Sequence, residues 1–585
     1  MFGKIINIDD NFITMENLSK EAQANYLNIH VVFPEENRLV VGEILRIDNE
    51  VIDVMLVGEI RNNNFTTGVI KKPSFKSGCR LIYKSELELI LGSQDISAKN
   101  TLYLGKSNIY EGYNVSANLT SFFSNHFAII GNTGSGKSCG VARILQNIFL
   151  HNDEAVPRNA HMVIFDVYGE YNKSLNIINE VSGLGFKHFS TKTDMTEGEL
   201  VNIPAYFLGV DDLALLLNAT SGNQLAILEK TLKLVYIFKS EEEIVKQYKN
   251  DIIASTLLDI LTSGKTSTQM RDQVIAVLSR YNTETLNVNA PIVQPGYTRT
   301  IKQCLNIDQS GKINSLQFVI EYLEKFQKLD LSNVEVKHDF VYSLDDIFYA
   351  LEFALIGEGI LKSDKVYDEN NQLKTRLQQI INSDNNLFFK CDEFITKAEY
   401  IKKLFNNENG KVQIVNMNLN FIDERFARIL TKIFTKMFFD FATSLNDRAS
   451  YPIHLILEEA HRYVQNDSDI KILGYNIFDR IAKEGRKYGV LLGLITQRPS
   501  ELSNTALSQC SNFITFRMFH PTDIEIISSI SSNVDASVIE KLKSLVPGTA
   551  MAFGVSFKIP LLIKMDLPNP MPESTSVNIE ERWFN

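Results

Sequence analysis

Residues 127–138 read Phe-Ala-Ile-Ile-Gly-Asn-Thr-Gly-Ser-Gly-Lys-Ser, an apolar run that breaks into a glycine-rich turn and leads to an apolar helical stretch from Gly140 to Leu150. This is the most restrictive feature of the chain. The turn fits G-x-x-x-x-G-K-[ST], and its setting between a strand and a helix is the one this pattern needs to bind phosphate. Glycines let successive backbone amides curl around an anion, and the helix that follows turns its positive end toward it. Gly131, Asn132, Thr133, Gly134, Ser135 and Gly136 are expected to form the cradle. Lys137 is expected to reach the β- and γ-phosphates of a nucleoside triphosphate, ATP, and Ser138 to ligate Mg2+. Such a turn belongs in an open parallel sheet with helices on its faces, so the fold class expected is α/β.

Other runs agree. Met162–Phe165, Val412–Val415, His454–Leu457, Val490–Thr496 and Phe513–Phe516 read as buried strands, and helical segments separate many of them. The first hundred residues differ. Leu39–Val41, Glu43–Ile47, Val51–Val57 and Gly68–Ile70 are short β-rich runs divided by Asp, Asn and Gly, which points to a small antiparallel barrel or sandwich. Between about 211 and 405 the strand pattern fades, and Ala214–Leu217, Leu225–Phe238 and Leu316–Phe326 read as amphipathic helices. The organisation expected is a β-barrel domain over 1–100, a P-loop core over 101–210 and 406–565, a helical insertion over 211–405 and a C-terminal arm over 566–585. The tip of that arm, Trp583 and Phe584, suggests docking.

Composition limits the partners. Of 585 residues, 44% are hydrophobic and 22% charged, ordinary values that exclude a disordered or collagenous chain. Lys plus Arg is 59 against 70 Asp plus Glu, a net charge of −11, which argues against a surface that coats nucleic acid but leaves room for a local basic channel. The five cysteines are scattered without metal-ligand spacing, as expected of unpaired thiols in a reducing cytosol. No basic segment precedes an apolar one at the start, and no apolar run approaches membrane-spanning length, so a cytoplasmic protein is the expectation.

A phosphate turn needs acidic partners. Ile453–Leu457 is an apolar strand ending in Glu458 and Glu459, whose side chains point opposite ways on extended backbone and so divide the work. Glu458 is assigned to the shell of Mg2+ through water and Glu459 to polarising the attacking water, although order alone permits the reverse. Gln497, at the end of the Val490–Thr496 strand, is placed to sense the γ-phosphate. Arg486 is the first candidate for a cation that stabilises transition-state charge, ahead of Arg517 and Arg480, and it is expected to act in a neighbouring subunit. Asp166 and Glu170, at and just beyond a strand end, are further candidates for ordering metal or water. His461 reads as a hydrogen-bonded structural or coupling residue rather than a metal ligand.

Taken together, several segments resemble the HerA branch of the HerA/FtsK family of hexameric ATP-driven DNA translocases. They are Asn125–Ile130 running into GNTGSGKS, Asp166 with Gly-Glu-Tyr at 169–171, LILEEAH at 455–461, EGRKYG at 484–489, TQRPSELS at 496–503, and Pro547-Gly548 before a final strand ending near Ile559-Pro560. Position 458 is Glu where many relatives of the wider class carry Asp. The resemblance implies a RecA-like P-loop NTPase core with a small N-terminal barrel, a homo-hexameric ring around double-stranded DNA, and ATP hydrolysed between subunits. It implies a helicase or translocase acting in DNA repair or antiviral defence with a NurA-like nuclease, a sirtuin-like protein or another effector. Two other functions fit the same residues: a nucleotide-regulated ring scaffold for an effector, and an ATPase of the type IV secretion or conjugation kind.

Overall fold

A computed structural model describes residues 2–18, 26–150, 156–327, 339–361, 364–408, 410–465, 469–530, 536–573 and 582–583. The chain divides into two compact units. One comprises Met1–Leu200, Lys397–Asp467 and Tyr475–Asn585, and the other Val201–Thr396 and Ser468–Gly474.

The first unit opens with an antiparallel sheet of β1 (Phe2–Ile8), β2 (Phe12–Asn17), β3 (His30–Glu35), β4 (Arg38–Ile47), β5 (Val51–Arg61), β6 (Asn64–Thr67) and β7 (Arg80–Leu81). Its order is β1-β2-β5-β4-β3-β7 with β6 on β5, and no pairing among the described residues joins β1 to β7. The sheet is therefore a half-barrel, in part the small antiparallel barrel or sandwich expected. The two apolar runs at 39–47 are one continuous strand, β4. Gly68–Ile70 is not a strand: it follows β6 in a loop where Ile70 is 98% exposed. Val32, Val41, Ile60 and Phe65 join the core of the larger sheet, and Ile13, Val31, Phe33, Val40 and Val54 form a second cluster within the half-barrel.

The larger sheet has 12 strands. In chain order they are β8 (Thr101–Ser107), β9 (Asn114–Asn118), β10 (His126–Ile130), β11 (Met162–Asp166), β12 (Phe186–Ser190), β13 (Glu199–Leu200), β14 (Ile414–Asn418), β15 (Ile453–Leu457), β16 (Val490–Thr496), β17 (Cys510–Thr515), β18 (Thr549–Gly554) and β19 (Leu561–Lys564). In space they run β13-β12-β14-β11-β15-β16-β10-β17-β18-β19-β8-β9. Neighbours are parallel from β13 to β17. They are antiparallel from β17 to β9. The parallel part is covered on both faces, which is why β10, β11, β14, β15 and β16 are buried at every residue. The final strand lies further on than expected, with Ile559 and Pro560 preceding β19.

Two registers position the site. Ile130 pairs with Thr496 on one side of β10 and with Thr515 on the other. Phe165 of β11 pairs with Leu457 of β15. The carboxyl ends of the central strands therefore lie along one edge, where ligands bind in open α/β sheets. Beyond β10 the helix α1 (Lys137–Phe149) packs Val141, Ile144, Leu145 and Ile148 into the core beside the sheet. The start of the C-terminal segment lies against this helix: Gln146 receives the Asn569 amide at 3.0 Å and donates to the Pro570 carbonyl at 3.1 Å. Of the expected aromatic tip, Trp583 is 76% exposed and Phe584 lies outside the described residues.

The second unit is mainly helical. Val210–Leu216, Gly222–Lys239, Glu243–Thr262, Ser267–Arg280, Leu316–Glu324, Leu344–Leu361 and Asp364–Ile381 are helices, and Pro291–Gln294 pairs with Tyr297–Thr300 as a hairpin. Among the described residues no helix is long and apolar enough to cross a membrane.

Candidate nucleotide site

The turn after β10 is pinned at several points. The Gly131 amide donates to the Thr496 carbonyl at 3.2 Å, and Asn132 donates to the Arg517 carbonyl at 3.0 Å. Ser135 bonds back to the Asn132 carbonyl through both its amide and its hydroxyl. Gly136 has φ +98°, a left-handed conformation, and a Cβ there would stand 2.9 Å from the Gly548 amide nitrogen. Only glycine meets both demands at the start of α1. The Gly548 amide in turn donates to the Ser135 carbonyl at 2.9 Å, so the Pro547-Gly548 segment braces the turn.

Around this turn three strand ends meet in one polar chain. Lys137 Nζ is 3.3 Å from Glu459 Oε1, with both side chains almost fully buried. Gln497 Nε2 donates to the same oxygen at 3.0 Å, and the Thr133 hydroxyl donates to Gln497 Oε1 at 2.5 Å. The other Glu459 oxygen faces His461 Nδ1 at 3.3 Å, and that nitrogen also lies 3.1 Å from the Thr496 hydroxyl. Burial holds the His461 imidazole below its ordinary range, against the raising influence of Glu459. Glu459 adopts φ 45°, ψ 47°. A non-glycine residue in this left-handed region is strained, and such strain gathers at functional sites. Here it turns the carboxylate off the line of β15 toward the phosphate turn.

Glu458 points elsewhere. It is 1% exposed, and its Oε1 accepts from the Tyr171 hydroxyl at 3.3 Å. Burial, and next the nearby Asp166 carboxyl, hold it well above the usual carboxylate range. Asp166 accepts four hydrogen bonds, from the amides of Gly169, Glu170 and Tyr171 at 2.8, 3.1 and 3.0 Å and from the Asn416 side chain at 3.2 Å. It therefore organises the turn that follows β11. Burial pushes the carboxyl of Glu170, on that turn, above the ordinary range, against the lowering influence of the nearby Ser138 hydroxyl and Lys137.

The three arginines separate. Arg517 stacks on Phe519 at 4.7 Å beside the phosphate turn. Arg480 is 3.7 Å from Glu484 and lies over Phe439 and Tyr475. Arg486 is exposed and borders an apolar recess with Phe123, His454 and Leu491, at the opposite edge of the sheet from Lys137. A fourth, Arg462, was not anticipated. It donates to the Tyr168 hydroxyl at 2.9 Å and stacks over that ring, close enough to the Glu458, Glu459 and Glu170 cluster for all of these charges to act on Tyr168. Its place in the run EEAHR was the available clue.

The residues present suit a magnesium nucleotide: an ammonium and a hydroxyl at the mouth of a helix, with carboxylates beyond them. Among the described residues no cluster of three or more His, Cys, Asp or Glu is arranged to hold a metal by itself. Fold and site together define a P-loop protein of mixed α/β architecture.

Comparison with known proteins makes the class narrower. Residues 102–323 match the family model described as the helicase HerA central domain. A DNA double-strand break repair helicase HerA of Sulfurisphaera tokodaii is 28% identical over 229 residues, covering 38% of this chain and 45% of that protein. One from Pyrococcus furiosus is 24% identical over 535 residues, covering 90% of this chain and 79% of that protein. Among solved structures, VirB4 of Thermoanaerobacter pseudethanolicus is 11% identical with a TM-score of 0.45, covering 80% of this chain and 97% of that one. The chain is HerA-like, although its match spans less than half the length of the Sulfurisphaera relative.

Proposed function

We propose that this chain is an ATP-driven motor that moves on double-stranded DNA, a helicase or translocase that works as a cytoplasmic homo-hexamer beside an effector protein such as a nuclease. The observation that carries this reading is the hydrogen-bonded chain Lys137–Glu459–Gln497–Thr133, buried at its Lys137–Glu459 end, which ties the phosphate turn to the ends of both β15 and β16. The occupant of the turn is therefore felt by strands that continue to distant parts of the fold. The HerA-type central domain and the repair-helicase relatives support DNA as the track.

Each residue has a role in this proposal. The turn from Gly131 to Gly136 wraps the phosphates with main-chain amides, and Lys137 supplies charge at the β- and γ-phosphates. Ser138 faces the metal. When bound, Mg2+ neutralises the developing charge on the phosphate oxygens. Glu459 orients the attacking water and takes its proton, while Gln497 reports the γ-phosphate to β16. Glu458 is the carboxylate that strand order alone would give to the metal shell. Arg486 serves the site of a neighbouring copy.

Steady-state ATP turnover of the full chain, measured with and without linear duplex DNA, tests the reading. DNA should stimulate turnover several-fold, and Lys137→Ala should abolish it. Turnover in the unaltered chain that is indifferent to duplex DNA at every length overturns the motor.

A further inference from the structure

We propose that Lys541, through its ion pair with Glu43, is a positioning residue that ties the phosphate turn to the N-terminal half-barrel and thereby sets nucleotide affinity. This rests on the reading of that turn as a nucleotide site and adds a control exerted on it from another sheet.

The phosphate turn leans on two ledges outside its own loop. Asn132 donates to the Arg517 carbonyl at 3.0 Å, and the Ser135 carbonyl accepts from the Gly548 amide at 2.9 Å. Gly548 is itself held on both sides. Thr549 donates back to the Val546 carbonyl at 3.0 Å, and Pro547 and Gly548, the latter at φ +78°, fill the two central positions with the residues a type II turn favours. The Gly548 carbonyl in turn accepts from the Met565 amide at 2.9 Å. Its own amide is therefore a fixed point for the phosphate turn.

Both ledges meet on one helix. Ala536–Ser544 closely precedes Gly548, and its Leu542 carbonyl accepts at 3.4 Å from Met518, the neighbour of Arg517. Val538, Leu542 and Leu545 are buried, so the segment is packed rather than loose. Beside Leu542, Lys541 Nζ reaches off the helix and donates to Glu43 Oε1, on β4 of the half-barrel, at 2.7 Å. The two side chains are 24% and 12% exposed, so the pair is shielded from much of the solvent that weakens surface pairs. Displacing the half-barrel therefore pulls on the helix, and through it on Met518, Arg517 and Gly548. Backbone amides grip a phosphate only when they converge on it, so a small shift of either ledge opens the cradle. Linkage makes the effect reciprocal: a partner that shifts the half-barrel changes nucleotide affinity, and nucleotide changes that partner's affinity by the same factor.

The test is the affinity of the full chain for AMP-PNP in millimolar Mg2+, read by calorimetric titration, with thermal melting to show that each variant is folded. Lys541→Met and Glu43→Met keep the length of each side chain and remove its charge. Each should weaken AMP-PNP binding by about 3–30-fold, the range reached by changes remote from a ligand. The double variant should lose no more than either single one, and Lys541→Arg should bind as the unaltered chain does. Where Lys541→Met fails to melt cooperatively, Glu43→Met carries the same expectation. Arg80→Met is the comparison. It breaks the Arg80–Glu86 pair, 2.6 Å apart with side chains 25% and 12% exposed, whose other contacts are with Leu81 and Tyr83 rather than the 536–544 helix. It should leave AMP-PNP affinity unchanged whatever it does to the melting temperature. Unchanged affinity in the folded single variants, additive losses in the double variant, or an equal loss in Arg80→Met overturns the positioning role and leaves the nucleotide site standing. Failure of the unaltered chain to bind AMP-PNP overturns both.

Discussion

Replacing Glu459 by glutamine should separate binding from cleavage, and the structure gives the size of each effect. Lys137 Nζ and Glu459 Oε1 stand 3.3 Å apart with side chains 8% and 5% exposed, so the lysine that a triphosphate needs is already engaged. At an effective dielectric of about 20 the gross attraction at that distance is about 5 kcal/mol. Much of it offsets the cost of desolvating both groups. Nucleotide entry must exchange this carboxylate for phosphate oxygens. In Glu459→Gln the new side chain would keep the size of the old one and an acceptor for Gln497 Nε2, but would leave the lysine buried without an anion. If about 1–2 kcal/mol of the attraction survives desolvation, ATP should bind roughly 5–30-fold more tightly to the variant. Loss of the proton acceptor should slow cleavage by about 100-fold or more. Fluorescent-nucleotide titration gives the affinity, and single-turnover assays with the chain in excess give the cleavage rate. Weaker binding, or cleavage at the original rate, would refute the placing of Glu459 between Lys137 and the water.

Two further outcomes follow from the same site. Burial and Asp166 raise the Glu458 carboxyl above its unfolded value, so between those two values the folded chain holds a proton that the unfolded chain has released. Stability therefore falls as pH rises through that window, and Glu458→Gln, a neutral mimic, should melt progressively higher than the unaltered chain as pH goes from about 5 to about 8 under thermal denaturation; a constant offset would count against the buried acid. Mixing Lys137→Ala chains with Arg486→Ala chains should yield more ATP turnover than either alone, since only mixed neighbours bring an intact lysine and an intact arginine to one site; a mixture equal to the mean of its parts would remove Arg486 from that role.

Much of the parallel sheet was legible because its strands are buried on both faces. Val490–Thr496 is apolar or small until its last residue and folds with the bounds read from sequence. The helices at 222–239 and 316–324 were legible from periodicity, because each buries residues at helical spacing and leaves others in solvent. β12, Phe-Lys-His-Phe-Ser, was not, since its middle residues are half-exposed and polar, and β13 is only two residues long. Gly68–Ile70 looked like a strand on β-propensity alone, yet nothing covers Ile70, and propensity without a face to pack against does not hold a strand. Within the site, the phosphate turn and Glu459 could be read locally. The inward turn of Glu458 could not, because it depends on Asp166, nearly three hundred positions earlier in the chain.

Strand order explains why Gln497 and Arg486, eleven positions apart in sequence, cannot share a site in one chain. β16 lies between β15 and β10, so its carboxyl end is flanked by Glu459 on one side and the phosphate turn on the other. A side chain there can touch both, and Gln497 does. Arg486 precedes the strand, on the helix Ile477–Tyr488 that turns at Gly489 into Val490. The 7 residues of β16 then carry the chain across the sheet. At roughly 3.3 Å per residue that is about 20 Å, well beyond the reach of an arginine side chain. Any part that Arg486 plays in phosphate chemistry therefore requires a second copy of the chain, whereas the contacts of Gln497 with Glu459 and Thr133 are made within one.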